Sequence, residues 1–363
     1  MRRVSLLSLV LVALLAGCDA GAPVSRPDAT VPTPTWAPEP SVSPAGTVVP
    51  VGGPPLAVAV GSSLTAVGLA SSLVVLDSSG ARVASVPVPD PVRAVVALPG
   101  GRFRAVSGST VLTVSPVSAS SSAASSPSSS PSSSSAAAPS SAASLPASAS
   151  SASPSSASSA VVARWSIPGA GAALAVHPSG WTAVAVPSLG DVIILSDTGS
   201  VTRTLHVGGR PGGVAVVTEL VAVLDPAETS LTVFDTTTGA RKEGLRAGDG
   251  AVAVTSDGTG RFLVIDARDG ELLAFETGPL ILRQRFPVPG SPYAAAYDQT
   301  RNTLWVAVTE RNEVVGYNLT GGTPREVARH PTPRLPIAVA VDPSTGAVVV
   351  AGSAEGLVQR ISP

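Results

Sequence analysis

The sequence of 363 residues has one cysteine, one methionine and three histidines, and only 3% of its residues are aromatic. A single cysteine cannot form an intramolecular disulfide, so disulfides play no part in the fold. Charged residues make up 13% of the chain, the net charge is −1, and Lys242 is the only lysine. Such a composition argues against a nucleic-acid-binding protein, because it offers no basic surface to neutralise phosphates.

Motifs of catalytic and cofactor sites are also missing. The sequence contains no Cys/His cluster, no phosphate-cradling Gly-Lys loop and no Gly-x-Ser-x-Gly elbow. It therefore predicts no cofactor, and it leaves any enzymatic activity uncertain.

The cysteine lies at the end of a short apolar stretch near the N-terminus. Arg2 and Arg3 precede this stretch, residues 4–15, which is too short to cross a bilayer comfortably, since that takes about 20 residues. The string LAGC (15–18) resembles the lipobox of bacterial lipoproteins. That resemblance implies that residues 1–17 are a signal peptide, that Cys18 is lipidated, and that the protein is anchored to the extracytoplasmic face of the cell membrane. The alternative is a free thiol within an ordinary signal peptide.

Two segments have a composition that cannot form a core. Residues 18–45 are rich in Pro, Ser, Thr and Ala, which predicts a disordered, semi-rigid tether. Residues 116–160 are almost entirely Ser, Ala and Pro, which predicts a disordered insertion. Both segments are either unmodified spacers or carriers of O-linked sugars.

The rest of the chain, 46–363, consists of a repeated unit of about 40 residues. Each unit holds four short apolar or β-branched runs separated by Gly, Pro, Asp or Ser turns, which is typical of a four-stranded antiparallel meander. This period and strand count indicate an all-β protein, a β-propeller. Seven units begin near Pro54, Pro91, Gly171, Pro211, Gly250, Pro292 and Leu335.

Two irregularities of the repeat have a simple interpretation. The seventh unit lacks its outermost strand, and the run AGTVVPV (45–51) has no unit of its own, so we expect the N-terminal strand to complete the last blade and close the ring. The insertion replaces the turn between the third and outermost strands of the second blade. We predict seven blades; six or eight are the alternatives.

The pattern resembles the YVTN-type propeller repeat family, most clearly in LWVAVTERNEVVGYNLTGG (304–322) and LVAVLDPAETSLTVFDTTTGA (220–240). The resemblance covers 46–363 apart from the insertion and is weakest in the first two blades. It implies the fold but little about activity, because such propellers include binding proteins and lactone-cleaving enzymes.

Most polar residues that recur in the repeat are expected to be structural. His177 falls where Asp298 and Asp342 fall, at the turn leaving the innermost strand, and His206 and His330 end outermost strands. The end of the third strand carries Asp77, Asp197, Asp235, Glu276 and Asn318, a phase typical of hairpin turns. The aromatic residues of the second strands are expected to pack between blades, namely Phe103, Trp181, Phe262 and Trp305.

A functional site should instead lie where loops depart from the repeat. The loops between second and third strands share a face with the crossings between blades, where propellers usually bind ligands. They carry Asp191, Asp225, Glu228, Asp266, Arg268, Asp269, Glu310, Arg311, Glu313 and Glu355, and the crossings add Arg93, Arg210 and Arg334. Asp225, Asp266 and Glu310 are candidate ligands for a divalent metal; the alternative is that they are solvated loop charges.

These observations favour a lipid-anchored, envelope-exposed propeller that acts as a ligand- or protein-binding module. We expect it to be monomeric, to contact the membrane through Cys18, and to have an envelope protein or a glycan as partner. The alternative is an enzyme of the lactonase or lyase type that uses loop carboxylates, with or without a metal.

Overall fold

The computed structural model describes residues 30–40, 42–116 and 160–362. The regular structure of these residues is β-strand throughout, and they include no helix long and apolar enough to cross a bilayer. The predicted signal peptide (1–17), the predicted lipidation site Cys18 and most of the predicted insertion lie outside the described residues.

The strands form seven antiparallel sheets of four strands each, arranged as the blades of a propeller. Blade 1 comprises β2 (Ala57–Gly61), β3 (Leu64–Gly68), β4 (Ser72–Leu76) and β5 (Arg82–Pro87). Blade 2 comprises β6 (Val92–Leu98), β7 (Arg102–Ser107), β8 (Thr110–Ser115) and β9 (Ala160–Ser166). Blade 3 comprises β10 (Ala173–Val176), β11 (Thr182–Val186), β12 (Asp191–Leu195) and β13 (Val201–His206).

The remaining blades repeat this order from the innermost strand outwards. Blade 4 comprises β14 (Gly213–Val217), β15 (Leu220–Asp225), β16 (Ser230–Asp235) and β17 (Arg241–Arg246). Blade 5 comprises β18 (Ala251–Ser256), β19 (Arg261–Asp266), β20 (Glu271–Thr277) and β21 (Leu280–Pro287). Blade 6 comprises β22 (Pro292–Asp298), β23 (Thr303–Val308), β24 (Glu313–Asn318) and β25 (Arg325–Pro331). Blade 7 comprises β26 (Pro336–Val341), β27 (Val348–Gly352), β28 (Leu357–Ile361) and β1 (Thr47–Pro50).

The ring is closed by strand β1. It pairs antiparallel with β28, with Val48 opposite Gln359 and Val49 opposite Val358. Gln359 also donates hydrogen bonds from Nε2 to the carbonyl oxygens of Ala45, at 2.7 Å, and Pro331, at 2.8 Å. The innermost strands of adjacent blades pack against one another, and β26 packs against β2. The predicted seven-bladed propeller with N-terminal closure is therefore confirmed.

The core is divided among the blade interfaces. Each of seven apolar clusters found in the described residues combines side chains of two neighbouring blades. Phe103 lies fully buried between blades 1 and 2, and Phe262 between blades 4 and 5. Second and third strands are buried on both of their faces for this reason, which explains their continuous apolar runs.

The segment predicted as an insertion joins two neighbouring strands of one blade. Strands β8 and β9 pair with each other, and the pairing ends at Ser115 opposite Ala160. The connection 116–159 therefore begins and ends at adjacent points on the edge of blade 2, between its third and outermost strands.

Antiparallel order divides the loops between two faces. The crossings from blade to blade and the loops between second and third strands lie on one side, which we call the crossing face. The turns between first and second strands and those between third and outermost strands lie on the other side, which we call the hairpin face.

Part of the predicted tether packs against the propeller. Residues 30–40, which we call the strap, run over the crossing face of blades 5 to 7, and Ala37 is 3% exposed. This differs from the disordered tether expected over 18–45. Proline restricts φ, so ordering a Pro-rich segment costs less backbone entropy, and propeller side chains form hydrogen bonds with four backbone groups of the strap.

Candidate functional site

One end of the central channel opens on the crossing face into a cavity of about 850 Å³. Its walls come from the beginnings of the innermost strands of blades 1, 2, 3, 6 and 7, and from the crossing into blade 4. We call this cavity the channel mouth. The side chains that matter for binding are Leu56, Asp90, Arg93, Arg210, Tyr293 and Ile337.

Three of these side chains owe their position to β-bulges. In blade 2 the pairing passes from Val92 to Ala94, so that Arg93 has no partner across the strands. The same shift skips Tyr293 in blade 6 and Ile337 in blade 7. A bulge re-aims the side chain of the extra residue, and all three residues line the channel mouth.

The channel mouth contains two arginine side chains that face solvent. Arg93 and Arg210 are both exposed, and the arginines that form ion pairs within the described part of the chain are others. The backbone N–H of Arg210 donates to Asp225 Oδ2 at 2.5 Å, which holds the main chain at this residue in place. Asp90 is the exposed carboxylate of the same cavity.

Tyr293 and two apolar residues complete the cavity. The Tyr293 phenol is protonated at neutral pH, as tyrosine ordinarily is, and can donate a hydrogen bond; burial raises its pKa further. Leu56 and Ile337 supply apolar surface beside it. Two guanidinium groups and a phenol can together bind a carboxylate or phosphate group, because arginine offers paired donors that match the geometry of such anions.

The carboxylate of Asp225, one of the predicted metal ligands, accepts hydrogen bonds from the backbone. It is 2% exposed, and its Oδ2 accepts the N–H of Arg210. Its Oδ1 accepts the N–H groups of Ala227, at 2.9 Å, and Glu228, at 3.1 Å. The carboxylate therefore ties the crossing into blade 4 to the loop that follows β15.

Asp266 repeats this arrangement in the next blade. It is fully buried, and its Oδ2 accepts the N–H of Asp249 at 2.6 Å. Its Oδ1 accepts the N–H groups of Arg268 and Asp269, each at 3.0 Å. The recurrence makes this a feature of the repeat: a buried carboxylate that joins a blade crossing to the adjacent loop.

Glu310, the third predicted metal ligand, lies elsewhere on the crossing face. It lines a groove of about 770 Å³ between the strap and the loops of blades 5 and 6, together with Arg268 and Asp269. Burial, followed by the nearby carboxylates of Asp266, Glu271 and Asp249, raises the pKa of Asp269. Among residues 30–40, 42–116 and 160–362, no group of three or more His, Cys, Asp or Glu side chains could hold a metal ion.

Other charged loop residues form contacts within their own blades or with the strap. Asp191 lies 2.9 Å from His206, and Glu313 pairs with Arg329. The Arg334 N–H donates to Glu355 at 3.4 Å, and the Arg334 side chain contacts the strap. Of the three candidate arginines of the crossings, Arg93 and Arg210 both line the channel mouth, and Arg334 does not.

The three histidines lie in different surroundings. His177 stacks on Trp181, with ring centroids 4.7 Å apart. His206 contacts Asp191 on the crossing side of blade 3, and His330 stacks on Trp305 at 5.9 Å. The hairpin-turn carboxylates are also structural, since Asp77 and Asp235 each accept N–H groups of their own turns.

Sequence reasoning overlooked Asp90, Tyr293 and the apolar pair Leu56 and Ile337. A signal for the last three was present, because Leu56, Tyr293 and Ile337 each follow a proline at the start of an innermost strand. Their common place in the repeat indicated a common location. It did not indicate that bulges would direct Tyr293 and Ile337 into the channel mouth.

Comparison with protein families finds no match, and comparison with curated proteins finds none either. Among solved structures, the chain is similar to one titled Kuenenia stuttgartiensis Hydrazine Synthase, with a TM-score of 0.64 and 13% identity. The match covers 88% of this chain and 98% of that chain. At such low identity the likeness shows the β-propeller fold alone.

Proposed function

We propose that this propeller is an envelope module that binds a carboxylate- or phosphate-bearing ligand at the channel mouth. The supporting observation is the presence of Arg93 and Arg210 in one cavity, exposed and outside the ion pairs of the described residues. Tyr293 adds a protonated donor, and Asp90 adds an acceptor for a ligand hydroxyl or amine. The ligand class is therefore a small anion with further polar groups, free or carried by an envelope protein or glycan.

We further propose that the module is a lipoprotein, anchored through Cys18 to the extracytoplasmic face of the membrane after removal of residues 1–17. The support is the lipobox-like string LAGC (15–18) behind a short apolar stretch. We also propose that the repeat is of the YVTN type and that the protein is monomeric. Replacement of Cys18 by Ser should release the protein from the membrane fraction, and continued retention would contradict the anchor.

Binding ranks ahead of the lactonase or lyase alternative because of how the loop carboxylates are used. In that alternative, Asp225 and Asp266 are two of the three candidate carboxylates that would face a substrate or a metal. Both are buried and accept backbone N–H groups, which leaves them poor candidates for either role.

The test is calorimetric titration of the purified protein with inorganic phosphate and with citrate at constant ionic strength. Loss of a charge-assisted hydrogen bond weakens binding by about tenfold or more, which is the expected effect of Arg93→Ala and of Arg210→Ala. Arg325→Ala is the matched control, because Arg325 is an exposed arginine on the outermost strand of blade 6. Binding of neither anion, or equal weakening by all three variants, would refute the proposed site.

A further inference from the structure

The strap is held on the crossing face by backbone contacts at three places. Arg268 donates from Nη2 to the Thr30 carbonyl at 2.7 Å. The Thr35 N–H donates to Thr309 Oγ1 at 3.1 Å. Asn312 and Arg334 donate to the carbonyls of Pro38 and Ala37, at 3.0 and 3.1 Å. The strap therefore fixes where the N-terminal part of the chain reaches the propeller.

Exposed apolar side chains are distributed unevenly over the described surface. Eight large hydrophobic residues are exposed there. Val162, Val201, Leu245 and Val327 lie on outermost strands. The others lie on the strap, just after it, or in a crossing-face loop of blade 3: Val31, Trp36, Val42 and Leu189. The loops of the hairpin face carry none of the eight.

Trp36 is the largest of these side chains and is 62% exposed. The Arg334 guanidinium carbon lies 5.3 Å from the centroid of its ring, while the neighbouring Ala37 is buried. The indole is thus presented outwards from an ordered backbone, with a cation beside it. Tryptophan and arginine together suit the headgroup level of a bilayer, where an amphipathic ring and a guanidinium group can both be satisfied.

The length of the N-terminal chain limits how far this face can lie from the membrane. Cys18 precedes Thr30 by twelve residues, which span at most about 40 Å when fully extended. An acyl chain on Cys18 would therefore hold the crossing face within that distance of the bilayer. The hairpin face lies on the far side of the propeller from the strap.

From these observations we infer that the crossing face docks on the bilayer surface, with Trp36 and Val31 of the strap in the headgroup region and the channel mouth turned towards the membrane. This inference rests on the lipid anchor of the proposed function. It assigns the exposed apolar side chains of the strap to lipid, and a protein partner bound to these side chains would contradict it.

The experiment uses full-length protein, isolated from membranes and reconstituted into nanodiscs of phosphatidylcholine and phosphatidylglycerol, with and without brominated acyl chains. The Trp36 emission is obtained by subtracting the spectrum of Trp36→Phe. Because an indole at the headgroup level lies close to the acyl chains, brominated lipid should remove about half or more of this emission. The control is Ala81→Trp in the Trp36→Phe background, since Ala81 is exposed on the hairpin face; its added emission should be unaffected.

Mass spectrometry of peptides that contain Cys18 shows whether this residue is acylated. The result separates a failure of the lipid anchor from a failure of the docking inference. An acylated protein whose Trp36 is not quenched refutes docking and leaves the anchor standing. Quenching of Ala81→Trp alone reverses the orientation and also refutes docking. Absence of acyl mass together with absence from the membrane fraction refutes the anchor, and the inference falls with it. A Trp36 spectrum that shifts only on addition of an envelope protein would assign the exposed apolar side chains of the strap to that protein.

Discussion

His177 in blade 3 makes the same turn contacts as Asp342 in blade 7. His177 Nδ1 accepts the Ser179 N–H at 3.1 Å and lies 2.7 Å from Ser179 Oγ. Asp342 Oδ1 accepts the Ser344 N–H at 3.0 Å and the Ser344 Oγ hydroxyl at 2.6 Å. The imidazole thus replaces a carboxylate as the acceptor of a two-residue turn, and its stacking on Trp181 adds a contact that an aspartate cannot make.

This equivalence predicts that two substitutions of His177 differ in their effect on stability. His177→Asp should keep the turn and change the free energy of unfolding by less than about 1 kcal/mol. His177→Ala removes both the acceptor and the ring contact, and should cost about 1 to 2 kcal/mol. Urea unfolding followed by circular dichroism measures both values. Equal losses for the two variants would contradict the turn assignment and would reopen a chemical role for His177.

The buried carboxylates of the crossing face should support stability without a metal. Asp225→Ala removes the acceptor of three backbone N–H groups, so we expect a loss of about 2 to 4 kcal/mol. Asp266→Ala should have a similar effect, because its contacts are equivalent. Glu228→Ala is the control, since this exposed neighbour should change stability by less than about 0.5 kcal/mol.

Chelation distinguishes this role from a metal site. If the carboxylates only hold the backbone, the melting temperature of the wild-type protein should be the same with EDTA and with added calcium or magnesium. A rise in melting temperature with a divalent cation that disappears in the Asp225→Ala, Asp266→Ala double variant would instead support the metal alternative.

Ring closure should be sensitive to a single methyl group at Gly46. This residue has φ of +71°, and a Cβ there would lie 2.2 Å from the carbonyl oxygen of Arg360 on the partner strand β28. Gly322 has φ of +89° with nothing within 4 Å of an added Cβ, so Gly322→Ala carries only the backbone cost. We expect Gly46→Ala to be more destabilising than Gly322→Ala by at least about 2 kcal/mol.

Guanidinium unfolding of both glycine variants provides this comparison. If the two variants lost the same stability, strand β1 would contribute little to closing the ring. If the Gly46→Ala substitution displaces strand β1, the edge of blade 7 is left unpaired at β28. Such a variant should also associate at high concentration.

The connection within blade 2 should be dispensable for folding. Because Ser115 pairs with Ala160, residues 116–159 can be replaced by Asn-Gly, the two-residue turn that suits a tight hairpin. A shorter loop costs less entropy to close, and the logarithmic dependence on length gives a gain of about 2 to 3 kcal/mol. Thermal unfolding measures the gain. A shortened protein that fails to fold would show that the replaced residues contribute to the propeller itself.

Local sequence was sufficient to predict the architecture. The alternation of apolar runs with Gly, Pro and Asp turns sets strand length, and the deficit of one strand at the C-terminus matches the extra strand at residues 45–51. These are properties of neighbouring residues, so they can be counted without knowing what the strands pack against.

The site depended on contacts that local sequence does not contain. Asp225 and Arg93 have the same apparent status in the sequence, as charged residues of one face. The Asp225 carboxylate accepts backbone N–H groups fifteen, two and three residues away, which leaves it a poor metal ligand. A bulge of one residue, by contrast, exposes Arg93 in the channel mouth.

By itself, then, the sequence predicted seven blades, with six or eight as alternatives, and it predicted the strand that closes them and the blade that contains the long connection, because each follows from the period of the repeat. Only the tertiary structure decided which charged side chains remain available and that a Pro-rich segment lies along blades 5 to 7. Those outcomes depend on hydrogen-bond partners that are distant in the chain, such as Arg268 with Thr30 and Asn312 with Pro38.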